Sequence, residues 1–320
     1  MPTSAAPHWP YHLKLIGMAV LWGASWPCGR ILAQSLPPLT AASLRFVIAA
    51  VLLMAWLRSS GRTAGLQALS RRQWGWLAIG GAVGVFGYAM FFMLGLQRVP
   101  ASRAALVVTT NPALTMLIAA WWFKERMNGT IMAGMVLAAL GAAVVITHGA
   151  PQRLFTGELG TGEALLAGCV LSWVGYTLIG RGPLAGIDAL TTTTVTAAIG
   201  CAMLLAAALA FEGPSGFAAL AQAPAEVWSA LLFLAVGATV LAYSWYFDGV
   251  GALGAGAASG YITLVPVFGV ALSALLLGEQ IDASIVLGGA MAIGGMAAMH
   301  VGRSAAGANV GTLLFKWVRR

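Results

Sequence analysis

Ten runs of apolar residues follow one another along this chain, each close to the roughly 20 residues that cross about 30 Å of hydrocarbon as a helix. They cover approximately 13–33, 40–57, 74–95, 101–123, 130–147, 163–180, 189–211, 228–248, 255–277 and 284–301. Lipid offers a backbone no hydrogen bonds, so runs of this length satisfy their own N–H and C=O groups as α-helices. Composition agrees. Charged residues make up 8% of the 320 and hydrophobic ones 60%, against roughly 25% charged in a soluble domain. Mean hydropathy is +0.87. The expected fold class is all-α integral membrane, with ten transmembrane helices joined by short turns such as Pro37-Pro38, Asn128-Gly129 and Gly182-Pro183.

The net charge of +8 does not indicate a nucleic-acid partner, because the cations sit in short loops and tails and form no solvated basic face. They report topology instead. With the N-terminus inside, Lys14, Arg58, Arg62, Arg71, Arg72, Lys124, Arg126, Arg181, Arg303, Lys316, Arg319 and Arg320 are cytoplasmic, twelve in all. Arg30, Arg98, Arg103 and Arg153 fall outside, four in all, and Arg45 lies within the second span. That bias predicts both termini in the cytoplasm and a multi-pass place in the inner or plasma membrane. The first apolar run reads as a retained span, and the basic tail 313–320 (LLFKWVRR) as a segment resting on the inner leaflet. Cys28, Cys169 and Cys201 have no paired spacing and the four histidines are scattered, so no metal, disulfide or cofactor is expected.

The chain also matches itself. At an offset of 151, Trp22 meets Trp173, Gly29 meets Gly180 and Arg30 meets Arg181. At 154, Gly95 meets Gly249, Pro112 meets Pro266, Glu125 meets Glu279, Gly134 meets Gly288 and Gly141 meets Gly295. The expected organisation is a first five-helix repeat over 1–147, an outer linker over 148–162, a second repeat over 163–301 and a basic tail over 302–320. Five is odd, so the second repeat enters the membrane from the opposite side. Inverted repeats ordinarily serve alternating access around a site near the midplane.

The stretches AVLWGASWPCGR (19–30), AASLRFVIAAVLL (41–53) and LGLQRVPASRAALVVTTNPALTMLIAAWWFKERM (94–127) resemble the EamA-type drug/metabolite transporter superfamily, as does GVGALGAGAASGYITLVPVFGVALSALLLGEQI (249–281). The resemblance spans essentially the whole chain. It implies ten helices, both termini inside, and export of small metabolites; among its members the chain looks most like the aromatic amino-acid exporters.

Candidate residues follow from the residues themselves. Pro112 and Pro266 interrupt the fourth and ninth spans at matching positions, as expected of hinged gate helices; the plainer reading is a static kink. The preceding Thr109-Thr110-Asn111 either satisfies the carbonyl that proline frees or contacts substrate. Glu125 and Glu279 close those helices, either capping the next helix or fixing the gate ends. Trp22 and Trp26, Tyr88 and Phe92, Trp173 and Tyr176, and Tyr243 and Phe247 each share a helix face. Facing first/sixth and third/eighth spans would line a cavity with them, and amphipathic or aromatic solutes suit such a wall. Arg45, whose repeat mate is Thr196, either holds an anion such as an amino-acid carboxylate or snorkels to the outer interface. Arg30 and Arg181 either meet a carboxylate at the two entrances or anchor at the interfaces. Gly80/Gly84 and Gly256/Gly260 form G-x-x-x-G packing faces. Helix interiors show no acid, Asp248 falling at the end of the eighth span, which counts against a cationic-drug/proton antiporter.

The function expected is secondary transport, exporting a small amphipathic metabolite such as an aromatic or hydrophobic amino acid, with a monomer sufficient. The rival readings are another metabolite class (nucleoside, sugar conjugate or drug) and a non-transporting scaffold. An enzyme would need convergent acids, a Ser/His pair or a metal cluster at one depth, and the sequence offers none.

Overall fold

A computed structural model describes residues 8–124, 127–150, 152 and 160–318, with 255 and 304–318 described by backbone alone. Glu125, Arg126, Arg153, Arg319 and Arg320 lie outside the described residues, and of Lys316 only the backbone is described. Among the described residues, ten helices are long and apolar enough to span a membrane: α1 (Trp9–Ser35), α2 (Pro38–Ser59), α3 (Arg71–Arg98), α4 (Ala101–Trp122), α5 (Gly129–Ile146), α6 (Thr161–Arg181), α7 (Ala189–Phe211), α8 (Ala225–Gly254), α9 (Gly256–Leu277) and α10 (Ala283–Arg303). Beyond Arg303 the α10 helix continues to Val318. An even number of crossings puts the N-terminal end of α1 and the far end of α10 on one face, called the terminal face below; the opposite face is the distal one.

The largest departure from the expected boundaries is at α8, which runs past 248 to Gly254. Of the glycines that read as a loop, Gly249 is a packing site and Gly251 is open. A Cβ on Gly249 would lie 2.5 Å from Leu15 of α1. The chain turns only at Gly254, whose φ of 85° is open to glycine and costly for other residues. Asp248 therefore sits inside a helix, paired with Lys14 at 2.5 Å, which corrects the expectation of acid-free helix interiors.

The halves repeat down to their irregularities. A π-helical stretch at Gly81–Gly87 in α3 recurs at Phe233–Leu241 in α8. A 3-10 turn at Val108–Thr110 in α4 recurs at Tyr261–Leu264 in α9. The close contact between α5 and α10 is reciprocal. A Cβ on Gly134 would lie 2.7 Å from the Gly295 oxygen, and one on Gly141 2.5 Å from the Gly288 oxygen. Since Gly134 matches Gly288 and Gly141 matches Gly295, exchanging the halves maps one contact onto the other. The fold is two five-helix repeats of opposite orientation.

Of the two G-x-x-x-G faces, one packs at both of its glycines. A Cβ on Gly84 would lie 2.1 Å from the Tyr176 ring, and one on Gly80 3.3 Å from Thr196, so α6 and α7 close on α3 there. Gly256 has nothing within 4 Å, while a Cβ on Gly260 would lie 2.9 Å from the His300 ring of α10, so the second face meets a neighbour at one of its two glycines only. A repeat of small residues marks where close approach is allowed, not where a neighbour lies.

Candidate functional site

A cavity of about 500 Å³ lies between the halves. Its wall includes Trp22 and Trp26 of α1, Tyr88 of α3, Trp173 and Tyr176 of α6, and Tyr243 of α8, with Arg45, Pro112 and Pro266. The rings form two groups. Trp22 meets Tyr243 edge-on at 5.4 Å and Tyr246 at 5.6 Å. Tyr88 meets Trp173 at 5.5 Å, and Trp173 meets Tyr176 at 6.4 Å. The pairing is thus first with eighth and third with sixth, each group joining one span from each half, and not the first/sixth and third/eighth pairing expected.

Phe92 and Phe247 are not on the wall. Phe92 is buried behind it, 5.1 Å from Trp26 and stacked at 5.9 Å on Tyr88. Phe247 packs on Tyr243 and Tyr246. From Tyr88 to Phe92 a four-residue step keeps the helix face but moves one turn along the axis, about 5.4 Å, toward the closed distal side, whereas from Tyr243 to Phe247 it moves toward the terminal face. Periodicity gives the face and says nothing of depth.

Polar groups on the wall are held by the helix irregularities. The π-helical stretch of α8 leaves the Ala238 carbonyl to accept from Trp22 Nε1 at 2.9 Å, and Thr239 donates to the Leu234 carbonyl five residues back at 2.8 Å. Arg45 donates to Thr239 Oγ1 at 3.4 Å and lies over the Phe46 ring at 5.1 Å, while its Nε has no partner. It does not snorkel to an interface, which corrects that alternative. Its side chain extends into the cavity wall, and no acid among the described residues pairs with it. Its repeat mate Thr196 is on the same wall and meets the Tyr176 hydroxyl at 3.2 Å.

The two prolines stand at the start of half-helices. Proline has no N–H and its ring crowds the carbonyl four residues back, here Val108 and Ile262. The preceding turn tightens in response, and those carbonyls accept from the Asn111 and Val265 N–H groups instead. The break is therefore the 3-10 turn before each proline. Thr109 and Thr110 bond the Leu106 and Val107 carbonyls and leave the one that proline freed alone. Asn111 is 6% exposed and its Oδ1 has no partner. Sequence reasoning passed over Ser25, Phe46, Thr115, Thr177 and Thr193, all on the wall. A run of four threonines, Thr191–Thr194, in an otherwise apolar span was the available signal.

The cavity mouth is at the terminal face, where Arg181, Ser259, His300 and Arg303 line it. Arg181 lies over the Phe123 ring at 5.8 Å. The distal face is closed by a clamp. Glu279, just past α9, accepts from the Ala101 and Ser102 N–H groups at 2.7 and 2.9 Å, capping α4 of the other half. The expectation that it caps the next helix is corrected: the inverted repeat brings the end of α9 to the start of α4. Arg30 stands 3.8 Å from Glu279 and donates to the Leu96 and Val99 carbonyls at 2.5 and 2.7 Å. Beside it, Arg103 is buried, donates to the Val145 carbonyl at 2.7 Å and pairs with Asp282. The Ser284 hydroxyl first, then the Ile285 N–H and the Arg103 guanidinium, hold the Asp282 carboxyl below the usual range. Glu212 likewise accepts from the Leu39 and Thr40 N–H groups at 2.8 and 2.7 Å at the start of α2.

The described residues form a helical, multi-pass fold of two inverted halves around an amphipathic cavity, an arrangement suited to passing a small molecule across a membrane. The EamA-like transporter family profile matches residues 9–147 and again 160–300, and the chain belongs to that family. It is 28% identical over 291 residues to the uncharacterized transporter YyaM of Bacillus subtilis (strain 168), over 90% of this chain and 93% of that one. It is 27% identical to a probable terminal-alkyne amino-acid exporter of Streptantibioticus cattleyicolor, over 88% and 90%. Over 147 residues it is 29% identical to the aromatic amino acid exporter YddG of Ancylobacter novellus, which covers 46% of this chain and 50% of that one. A crystal structure aligns over 92% of this chain and 98% of its own at a TM-score of 0.59 and 22% identity, a likeness of fold alone.

Proposed function

We propose that this transporter exports small amphipathic metabolites, aromatic and hydrophobic amino acids first, by alternating access through the central cavity. The observation that carries the reading is the wall itself: two groups of rings, one from each pairing of the halves, around a space that also holds a cation. Rings suit an apolar side chain, and each Trp or Tyr adds one polar handle. Trp22, Trp26, Tyr88, Trp173, Tyr176 and Tyr243 are the proposed ring contacts, with Arg45 for the carboxylate; Phe92 and Phe247 brace the rings from behind. The terminal face is cytoplasmic on the positive-inside bias, so the clamp at Glu279 makes this the inward-facing state. Two distant relatives named as amino-acid exporters support the substrate class.

Counterflow into proteoliposomes tests it. Labelled phenylalanine outside is expected to accumulate when unlabelled aromatic amino acids are trapped inside. Trp22→Ala, Tyr88→Ala and Tyr243→Ala should each cut the initial rate about tenfold or more, since losing one aromatic contact costs about 1.5 kcal/mol. Accumulation with trapped nucleosides or dyes but not amino acids would discard the substrate class and keep the carrier. Each monomer contains a whole cavity, so one protein per vesicle should suffice; activity confined to cross-linked dimers would contradict this.

Pro112 and Pro266 are the proposed hinges. Pro112→Ala restores an N–H and lets α4 run straight, and it is expected to slow turnover several-fold while leaving the Kd for phenylalanine nearly unchanged. Stopped-flow quenching of the cavity tryptophans reads both quantities. Weakened binding at normal turnover would place the proline in the binding site and not in the hinge.

A further inference from the structure

The charge on the cavity wall is one-sided. Arg45 stands in it with its Nε unpartnered, held only by a long bond to Thr239 and by ring faces. The matching position in the other half is Thr196, which is neutral. Arg303, with Arg181 and His300, brings further basic groups to the mouth. No acidic side chain among the described residues lines any part of it. A guanidinium in a low-dielectric wall is costly until an anion meets it. A zwitterion answers Arg45 with its carboxylate, but its ammonium finds only neutral acceptors, Asn111 Oδ1 being the buried one without a partner. A cargo with the same ring and carboxylate and no ammonium leaves no charge unmatched.

We propose that the cavity also carries amphipathic monocarboxylates that lack an ammonium group, moving them as net anions out of the cell down the membrane potential. The inference rests on the reading of this cavity as the transport site. Potential also supplies a driving force that the wall does not otherwise provide. Asp248, well inside α8, is paired with Lys14 away from the cavity, and Glu163 and Glu226 stand in the first turns of α6 and α8; none of the three is on the cavity wall to trade protons with cargo. One charge moving through the potential set by a tenfold potassium gradient reaches about a tenfold concentration ratio at equilibrium. A net-neutral amino acid moved alone gains nothing from the same gradient.

The probe is 3-phenyllactate, which is phenylalanine with its ammonium replaced by hydroxyl. Labelled phenyllactate is placed outside proteoliposomes of the full chain, and a potassium gradient with valinomycin makes the lumen positive. Accumulation of about tenfold for a tenfold gradient is expected, reversing to exclusion when the gradient is reversed and absent from protein-free vesicles. Unlabelled phenyllactate should also compete with phenylalanine counterflow. Arg45→Gln should abolish accumulation and Arg45→Lys should retain part of it, with thermal melting of both purified variants confirming that they are folded. Phenylalanine counterflow without phenyllactate flux, or phenyllactate flux indifferent to the gradient, overturns the proposal and leaves the amino-acid reading standing. Phenyllactate accumulation without phenylalanine counterflow upholds it and removes the amino-acid reading. If neither solute moves, both fall.

Discussion

Glu279→Gln is expected to open the distal side of the cavity. The Glu279 carboxylate holds the first two N–H groups of α4 at 2.7 and 2.9 Å, and it does so from the end of α9 in the other half. Hydrogen bonds to a charged group contribute about 1.5–3 kcal/mol each, and a carboxylate at a helix N-terminus adds a favourable interaction with the helix dipole. An amide keeps one acceptor but turns an NH2 toward the other N–H, so about 2 kcal/mol of the clamp is lost. That shifts the balance of inward- and outward-facing forms about 30-fold. The measurement is modification of Ser25→Cys, on the cavity wall, in a background lacking Cys28, Cys169 and Cys201. In oriented vesicles, a membrane-impermeant maleimide added on the distal side should react about 30 times faster once Glu279 is Gln. An unchanged distal rate would mean that Glu279 only caps a helix and closes nothing.

The clamp also shows where sequence reading stops. Span count, inverted orientation and the paired prolines were legible because hydropathy and internal repetition are properties of the chain alone. Glu279 was legible as a repeated acid, but its partner was not. Capping the start of α4 from the end of α9 depends on how the halves interlock, and no local pattern encodes that. Arg45 illustrates the same limit. An arginine one and a half turns into a span can reach an interface or a cavity, and only the placement of Thr239 and Phe46 decides for the cavity. The π-helical stretches in α3 and α8 had no sequence signal of their own. Each stands just before a wall tyrosine on the same helix, Tyr88 and Tyr243. Depth was the other missing quantity, which is why Phe92 shared the right face and missed the wall.

Small residues give the sharpest contrast between motif and packing, because alanine substitution there predicts opposite signs. In an open helical position Gly→Ala is stabilising by up to about 1 kcal/mol, through reduced backbone entropy of the unfolded chain. Gly256→Ala, with nothing within 4 Å of the new Cβ, is expected to be neutral or slightly stabilising despite its G-x-x-x-G setting. Gly141→Ala is expected to be strongly destabilising. Its Cβ would fall 2.5 Å from both the Ala292 nitrogen and the Gly288 oxygen, which are backbone atoms of α10 and cannot rotate aside. Gly295→Ala meets the mirrored obstacle, 2.5 Å from the Ala138 nitrogen and the Gly134 oxygen of α5. Overpacking of this kind costs about 1–3 kcal/mol at each site. Both contacts belong to the one α5–α10 crossing, so helices pushed apart for one Cβ also make room for the other, and the double variant should lose more than either single variant but less than the sum. Thermal melting of purified protein in detergent, followed by tryptophan fluorescence, reads all four variants. The expected order places Gly256→Ala at or above the parent, the two single variants clearly below it, and the double variant lowest or not recoverable. Equal effects at Gly141 and Gly295 would follow from the two-fold relation of the halves. A stable Gly141→Ala protein would mean that α5 and α10 do not approach this closely in the membrane, and with it would go the reciprocal contact on which the symmetry of the two repeats is most plainly seen.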